Sequence, residues 1–440
     1  MTTLDAPPDS QVDQPEPSAP PAPAGGARSV LLFVAVVALG ALSVVAGFWK
    51  PLLVIVALFT MIMLHELGHF VMARRAGMKA SEFFVGFGPR LWSFRRGETE
   101  YGVKAIPLGG YVKILGMTNL EEVPAGDEAR AYRQKPFWAR FGVAVAGSTM
   151  HMIIAFVLLF SLNAFVGNGM HGEVLPVISS LSTLEGQESP AVKAGLRVGD
   201  EITALDDGPV VGWDDVKSYV SSRPGTPIKV EYRRDGVLGT TTVTPLDLSQ
   251  VATAAGGPAS APPAEGAPPR GFVGITATPN SPTVGPVQAL GRSASDLGGL
   301  ATTTVGALGK LLSFQGVRSY TDQVQGKDVS QEDQTNRFLS PVGVYRIAGE
   351  AADQGIGQVL SLLVLINVFV GIFNMLPLLP FDGGHVPIAV YEAIRSRIKG
   401  RRHFADAGKL LPVAYFTVAA LALISVSSLY LCIAKPLKLS

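Results

Sequence analysis

Apolar residues gather into five long runs: Val30 to Phe48, Leu52 to about Ala73, Phe141 to about Val166, Val359 to about Phe381, and Leu411 to Ala434. Each reaches the ~20 residues that a helix needs to cross a bilayer core. The pattern therefore predicts a polytopic α-helical membrane protein of about five spans. Residues 1–28 are Pro-, Ala- and acid-rich without apolar periodicity, as expected of a disordered tail. The run over 29–49 reads as an uncleaved anchor rather than a signal peptide, because the preceding acidic stretch is long and offers only Arg28 as a positive charge. Bases cluster at Arg74, Arg75, Lys79, Arg90, Arg95 and Arg96, and again from Arg395 to Arg402. The positive-inside rule makes both clusters cytoplasmic, with the tail inside and the long 167–358 region outside.

Between the spans the pattern changes. Residues 173–247 alternate short β-rich runs with turn residues, as in a small soluble domain, and 248–270 are a low-complexity insertion. The domain resumes as a strand pattern to about residue 280. Residues 281–357 read as a connecting region in which 285–314 could lie as a membrane-surface helix, and 385–410 as a basic cytoplasmic loop. Composition agrees with a membrane protein: 48% hydrophobic residues, 16% charged, and a mean hydropathy of +0.32. A net charge of +1 supplies no field for nucleic acid. The single cysteine, Cys432, excludes an intramolecular disulfide framework and Cys-based zinc sites, so any metal must be held by His and carboxylates.

The second run contains His65-Glu66-Leu67-Gly68-His69, an H-E-x-x-H sequence. On a helix, i and i+4 share one face, so two imidazoles can grip one Zn²⁺ with Glu66 beside them as a general base. Two core histidines with a paired Glu are the bland alternative. Membrane depth weighs against it, since a buried ionisable group costs about 2.5–3.5 kcal/mol on the mildest scales and tends to face a site. His65 falls about 21 Å along the helix from Pro51 at 1.5 Å per residue, so a third ligand must also come from the membrane. Asp382 ends the otherwise apolar fourth run in Asn374-Met-Leu-Pro377-Leu-Leu-Pro380-Phe-Asp382-Gly383-Gly384. Pro377 and Pro380 remove amide donors, and the two glycines can take positive φ, so the backbone can turn Asp382 toward a neighbouring helix. A turn residue at the membrane surface is the alternative for Asp382.

HELGH in one span and N-x-x-P-x-x-x-x-D-G-G in a later one resemble the site-2 protease family of intramembrane zinc metalloproteases. The stretches 83–92 (FFVGFGPRLW), 98–117 and 340–343 (SPVG) are similar to its bacterial single-PDZ actinobacterial branch. The resemblance implies a catalytic core of four spans at 51–73, 141–166, 359–384 and 411–434. It further implies a membrane-reentrant β-sheet within 74–140 and an extracytoplasmic PDZ-like domain over 173–280, around the P-A-x-x-A-G-L-x-x-G-D-x-I pattern that begins at Pro190. The zinc ligands would be His65, His69 and Asp382. Glu66 would be the catalytic acid/base, and Asn374 would help hold the substrate backbone. The implied substrates are transmembrane segments of single-span membrane proteins in the plasma membrane, typically anti-sigma factors after a first external cut.

The chain departs from that pattern in two places. Residues 1–50 have no counterpart in the minimal core. Where the branch usually reads A-G-P-G-M-N, the third span has Ala146-Gly147-Ser148-Thr149-Met150-His151. His151 would then either face the active-site cavity or hydrogen-bond between helices. Two other functions compete with an intramembrane protease: a zinc protease of soluble or surface peptides, and a membrane-anchored PDZ scaffold with a vestigial metal site.

Overall fold

The structure is a computed structural model that describes residues 49–117, 121–167, 173–181, 188–206, 208–247, 270–280, 283–327 and 340–434. The tail, the whole first apolar run and the insertion except its last residue, Arg270, lie outside these residues. Four helices among the described residues are long and apolar enough to cross a membrane, within 52–75, 137–166, 356–373 and 408–433.

Helix α1 (Trp49–Arg75) carries the H-E-x-x-H residues and ends on Arg74 and Arg75, cations that suit the negative end of a helix dipole. Gly77, at φ 65°, turns the chain into β1 (Ala80–Arg96) and β2 (Thr99–Ile114). These strands are long enough to fold into four segments. Residues 82–85 run between 110–113 on one side and 100–103 on the other, while 92–96 close the far edge against 99–103. The segment 110–114 is thus the other edge. Lys104 Nζ donates to the Tyr111 hydroxyl at 2.6 Å, and that hydroxyl donates to Glu82, which ties this edge to the sheet. Phe87, Trp92, Phe94 and Ile106 leave an exposed apolar surface on the same sheet.

Helix α2 (Phe137–Ser161) continues through a π-helical turn at Leu162–Val166 and stops at Gly167, φ 98°. It packs against both α1 and a later helix over Ile356–Phe373. Small residues set these distances: a Cβ on Gly68 of α1 would lie 2.8 Å from the Ala146 carbonyl oxygen of α2.

The segment after α2 folds separately around its own core. Strands β3 (Glu173–Leu181), β4 (Glu201–Leu205), β5 (Ile228–Arg234), β6 (Val237–Val243) and β7 (Ile275–Asn280) form a sheet in the order β7-β3-β4-β5-β6, with helices α3 (Pro190–Lys193) and α4 (Trp213–Ser221). Ile178, Leu196, Ile202, Val216, Ile228 and Val243 fill the interior. Asp200 is buried, and Arg234 donates to both its oxygens at 2.7 Å. Burial alone would push the Asp200 pKa up. Arg234 and the Arg197 N–H outweigh it and hold the carboxyl below its ordinary 3.8. A depressed folded pKa contributes stability above the ordinary value that is lost as the pH falls through the folded one. Arg234→Met is therefore expected to speed amide exchange in β4 and β5 at pH 6 and to move this domain's acid transition to higher pH. An unchanged exchange profile from pH 6 to 3 would remove the pair from the domain's stability.

The remaining chain is more helical than the sequence pattern suggests. The connecting region holds α5 (Pro286–Leu312), α6 (Phe314–Val324) and α7 (Pro341–Gln354). Helix α5 covers most of 285–314. Helix α8 (Ile356–Phe373) stops short of the expected 359–384. The chain through 374–381, with Pro377 and Pro380 lacking amide donors, cannot continue the ladder. Residues 385–399, expected as part of a loop, form α9 (His385–Lys399). This helix is stabilised by a buried ion pair between Glu392 and Arg140 of α2, a long-range partner that local pattern does not show. Helix α10 (Leu411–Ala434) meets α6 where the Tyr320 hydroxyl lies 2.8 Å from Ser427 Oγ. Residues such as Ile55, Val56, Val157, Leu423 and Val426 stay exposed on the outside of the spanning helices, where water would penalise them and lipid would not.

Candidate metal centre

Three donor atoms converge between α1 and the turn before α9. His65 Nε2, His69 Nε2 and Asp382 Oδ2 each lie 3.1 Å from the other two. Ligands about 2.1 Å from a tetrahedral zinc stand about 3.4 Å apart, so the triangle fits three corners of a zinc site and leaves the fourth open. Both histidines are only 7% exposed. Among the described residues this is the one group of three His, Cys, Asp or Glu side chains that can hold a metal. The donor set is two imidazole nitrogens and a carboxylate oxygen, which zinc favours.

Each donor is positioned by its own local structure. The i, i+4 spacing brings the two imidazoles of α1 together. His69 Nδ1 donates to the Val143 carbonyl at 2.7 Å, which commits Nε2 as the free donor atom. Asp382 opens a 3₁₀ turn over Asp382–Gly384 that leads into α9. The two glycines after it serve a purpose other than the expected one. Gly384 is right-handed, at φ −64°, and neither glycine takes positive φ. A Cβ on Gly383 would instead lie 2.3 Å from the Met375 carbonyl carbon, and one on Gly384 2.8 Å from that of Leu378. Their bareness lets the turn fold back on 375–379. The Gly383 N–H then donates to the Asn374 carbonyl at 2.8 Å, which fixes the turn to the end of α8.

Glu66 points to the sheet edge. Its Oε2 accepts from the Val112 N–H at 3.1 Å, so the edge segment 110–114 touches the proposed acid/base directly. Close approach needs a bare backbone here too, because a Cβ on Gly110 would lie 2.5 Å from Met63 Sδ of α1. The pair Gly109-Gly110 was the sequence signal for this contact, and local pattern alone gave it no meaning. Gly147 is the other residue that sequence reasoning passed over. A Cβ there would stand 2.3 Å from His65 Cε1 and 2.4 Å from His69 Nε2. His151 hydrogen-bonds across helices, to Asn367 of α8 at 2.8 Å, and its ring centroid lies 5.0 Å from that of His65, with the planes tilted by 48°. Of the two alternatives left open for it, the interhelical hydrogen bond is the one present.

Spanning helices that bury an H-E-x-x-H pair against a distant carboxylate define a membrane zinc metallopeptidase. A family profile described as Peptidase family M50 matches residues 53–417, and the chain belongs to that family, the site-2 proteases. It is 33% identical over 390 residues to the zinc metalloprotease Rip1 of Mycolicibacterium smegmatis, covering 83% of this chain and 92% of that protein. Identity to Rip1 of Mycobacterium tuberculosis is 35% over 390 residues, covering 82% and 91%. The zinc metalloprotease RasP of Shouchella clausii is 26% identical over 424 residues, covering 79% and 91%. The protein is a zinc metalloendopeptidase, and its cofactor is Zn²⁺.

Proposed function

We propose that this endopeptidase cuts transmembrane segments of single-span membrane proteins within the bilayer. His65, His69 and Asp382 hold the zinc, and Glu66 is the general acid/base. A zinc ion in such a site supplies Lewis-acid polarisation of the scissile carbonyl and acidifies water. Glu66 takes a proton from the attacking water at its carboxylate and returns it to the leaving amine nitrogen.

The observation that carries this reading is the contact between Glu66 and the edge amide of Val112. A helical substrate shields its amides, so it must unwind before attack, and a sheet edge can receive the unwound segment by β-augmentation. An added strand along 110–114 would run past Glu66. The exposed Trp92 and Phe94 support a sheet that re-enters the bilayer, where such a surface is at home. Asn374 steadies the substrate backbone; it follows the end of α8, and its carbonyl accepts from the Gly383 N–H in the turn that carries Asp382.

The domain over 173–280 is PDZ-like and sits outside, with the tail of residues 1–28 in the cytoplasm and five spans in the plasma membrane. The basic residues flanking α1 and in α9 support this orientation. The substrates we infer are anti-sigma factors already trimmed on the outside, as the resemblance implies. A scaffold with a vestigial site is disfavoured, because such a protein has no use for three converged ligands beside a carboxylate.

Asp382→Asn keeps the side chain's size and removes its charge. Zinc affinity should fall at least the roughly 10–100-fold that losing a group behind a ligand costs. Cleavage of a co-expressed, tagged single-span protein should fall with it, and mass spectrometry of the wild-type product should map the cut inside the apolar segment. Normal zinc binding in Asp382→Asn would move the third ligand elsewhere, and a cut outside the apolar segment would refute intramembrane cleavage.

A further inference from the structure

The two zinc-binding imidazoles are supported unequally. His69 Nδ1 donates to a backbone carbonyl, whereas His65 Nδ1 is buried without a partner. If His65 Nε2 faces the metal, Nδ1 must carry the proton, and a buried N–H without an acceptor costs about 1–3 kcal/mol. Ser148 Oγ, next to the Gly147 that abuts the His65 ring, is likewise buried and unpaired.

The ring nearest to His65 from α2 is His151, 3% exposed, its centroid 5.0 Å away. Its tautomer follows from its surroundings. The Leu363 carbonyl can only accept, so the Asn367 atom 2.7 Å from it is the amide nitrogen, which also reaches Met61 Sδ at 3.0 Å. Asn367 therefore turns Oδ1 toward His151, and His151 Nδ1 is the donor in their 2.8 Å hydrogen bond. In the neutral ring this leaves His151 Nε2 as a lone-pair acceptor, on a ring whose centroid is 5.0 Å from that of His65. Gly371 keeps α8 close enough for this arrangement, since a Cβ there would lie 3.0 Å from His151 Cβ and 3.4 Å from the Ser148 carbonyl oxygen.

We propose that His151 is a positioning residue for the zinc centre. Its Nε2 accepts the proton of His65 Nδ1 across one water shared with Ser148 Oγ, while Asn367 holds His151 in the accepting tautomer. The inference rests on the reading of His65 as a zinc ligand. Histidines that bind metals are oriented by an acceptor on their other nitrogen, and losing such an acceptor typically costs about 10–100-fold in metal affinity. Here the acceptor is a third histidine, placed where the family branch usually has Asn. Buried polar side chains are costly unless fully paired; the Leu363 carbonyl, Asn367 and His151 are already joined in series, and the proposed bond would extend that series to His65.

The test uses the full chain purified in detergent, with zinc affinity measured by chelator competition and the site's geometry by the visible absorption of the Co²⁺-substituted protein. His151→Leu fills the space without an acceptor, and His151→Gln restores one. His151→Leu is expected to lose about 10–100-fold in zinc affinity and to shift the Co²⁺ bands. His151→Gln should recover most of both. Asn367→Leu, which frees the tautomer while leaving the ring in place, should give an intermediate loss. Wild-type affinity and an unshifted spectrum in His151→Leu would overturn the proposal. Equal losses in the Leu and Gln variants would also overturn it, because packing alone would then explain them. His65→Ala separates the two levels: full zinc occupancy in that variant would refute the ligand assignment itself, whereas its loss together with an unaffected His151→Leu would refute the positioning role alone.

Discussion

Glu66→Gln is expected to leave the protein folded and zinc-loaded but to reduce cleavage about 10²–10⁴-fold, the usual contribution of a positioned acid/base. The amide keeps the side chain's length and can still meet the Val112 N–H through its oxygen, so the sheet edge should not move. What it cannot do is take up a proton and return it. Co-expression of wild type and variant with the same single-span protein, followed by fragment quantification and zinc analysis, checks both halves of the expectation. Turnover at the wild-type rate would take Glu66 out of the chemistry. Loss of zinc together with activity would make Glu66 part of the metal's support rather than its partner.

Gly147→Ala should have an effect out of proportion to one methyl group. In a helix, alanine is ordinarily better than glycine by about 1 kcal/mol, so α2 itself should gain. The new Cβ, however, would lie 2.3–2.5 Å from ring atoms of His65 and His69. Restoring van der Waals contact needs a displacement of about 1 Å, and misplacement of that size can cost about 10²-fold in rate. Zinc per chain and cleavage rate should therefore both drop while helical content stays constant. Gly142→Ala on the same helix is the control, because its Cβ would meet only the flexible Met72 Cε, at 3.1 Å. Full zinc occupancy in Gly147→Ala would mean that the histidines bind metal in some other arrangement.

The sequence by itself determined what depends on short-range periodicity. Apolar run lengths located the helices, and i, i+4 spacing put His65 and His69 on one face of α1. The cost of a carboxylate in an apolar segment singled out Asp382. Composition also separated the β-rich segment from the apolar runs. The family followed from the paired motifs, each of them local.

Only the tertiary structure decided how residues 313 positions apart come to share one site, as His69 and Asp382 do. Close approach of backbones settles this, and local pattern does not encode it. Gly68 and Gly147 let α2 lie against α1, and Gly383 and Gly384 let the Asp382 turn fold onto 375–379. From the sequence the last two glycines read as positive-φ residues, because local pattern marks conformational freedom but not which atoms will come within 3 Å. For the same reason 385–399 read as a loop, since the Glu392–Arg140 pair that buries α9 joins residues 252 positions apart. His151 shows the limit most plainly. Its position in an apolar span marked it as costly, but only the convergence of α1, α2 and α8 set it between Asn367, which satisfies its Nδ1, and His65, whose ring centroid is 5.0 Å away.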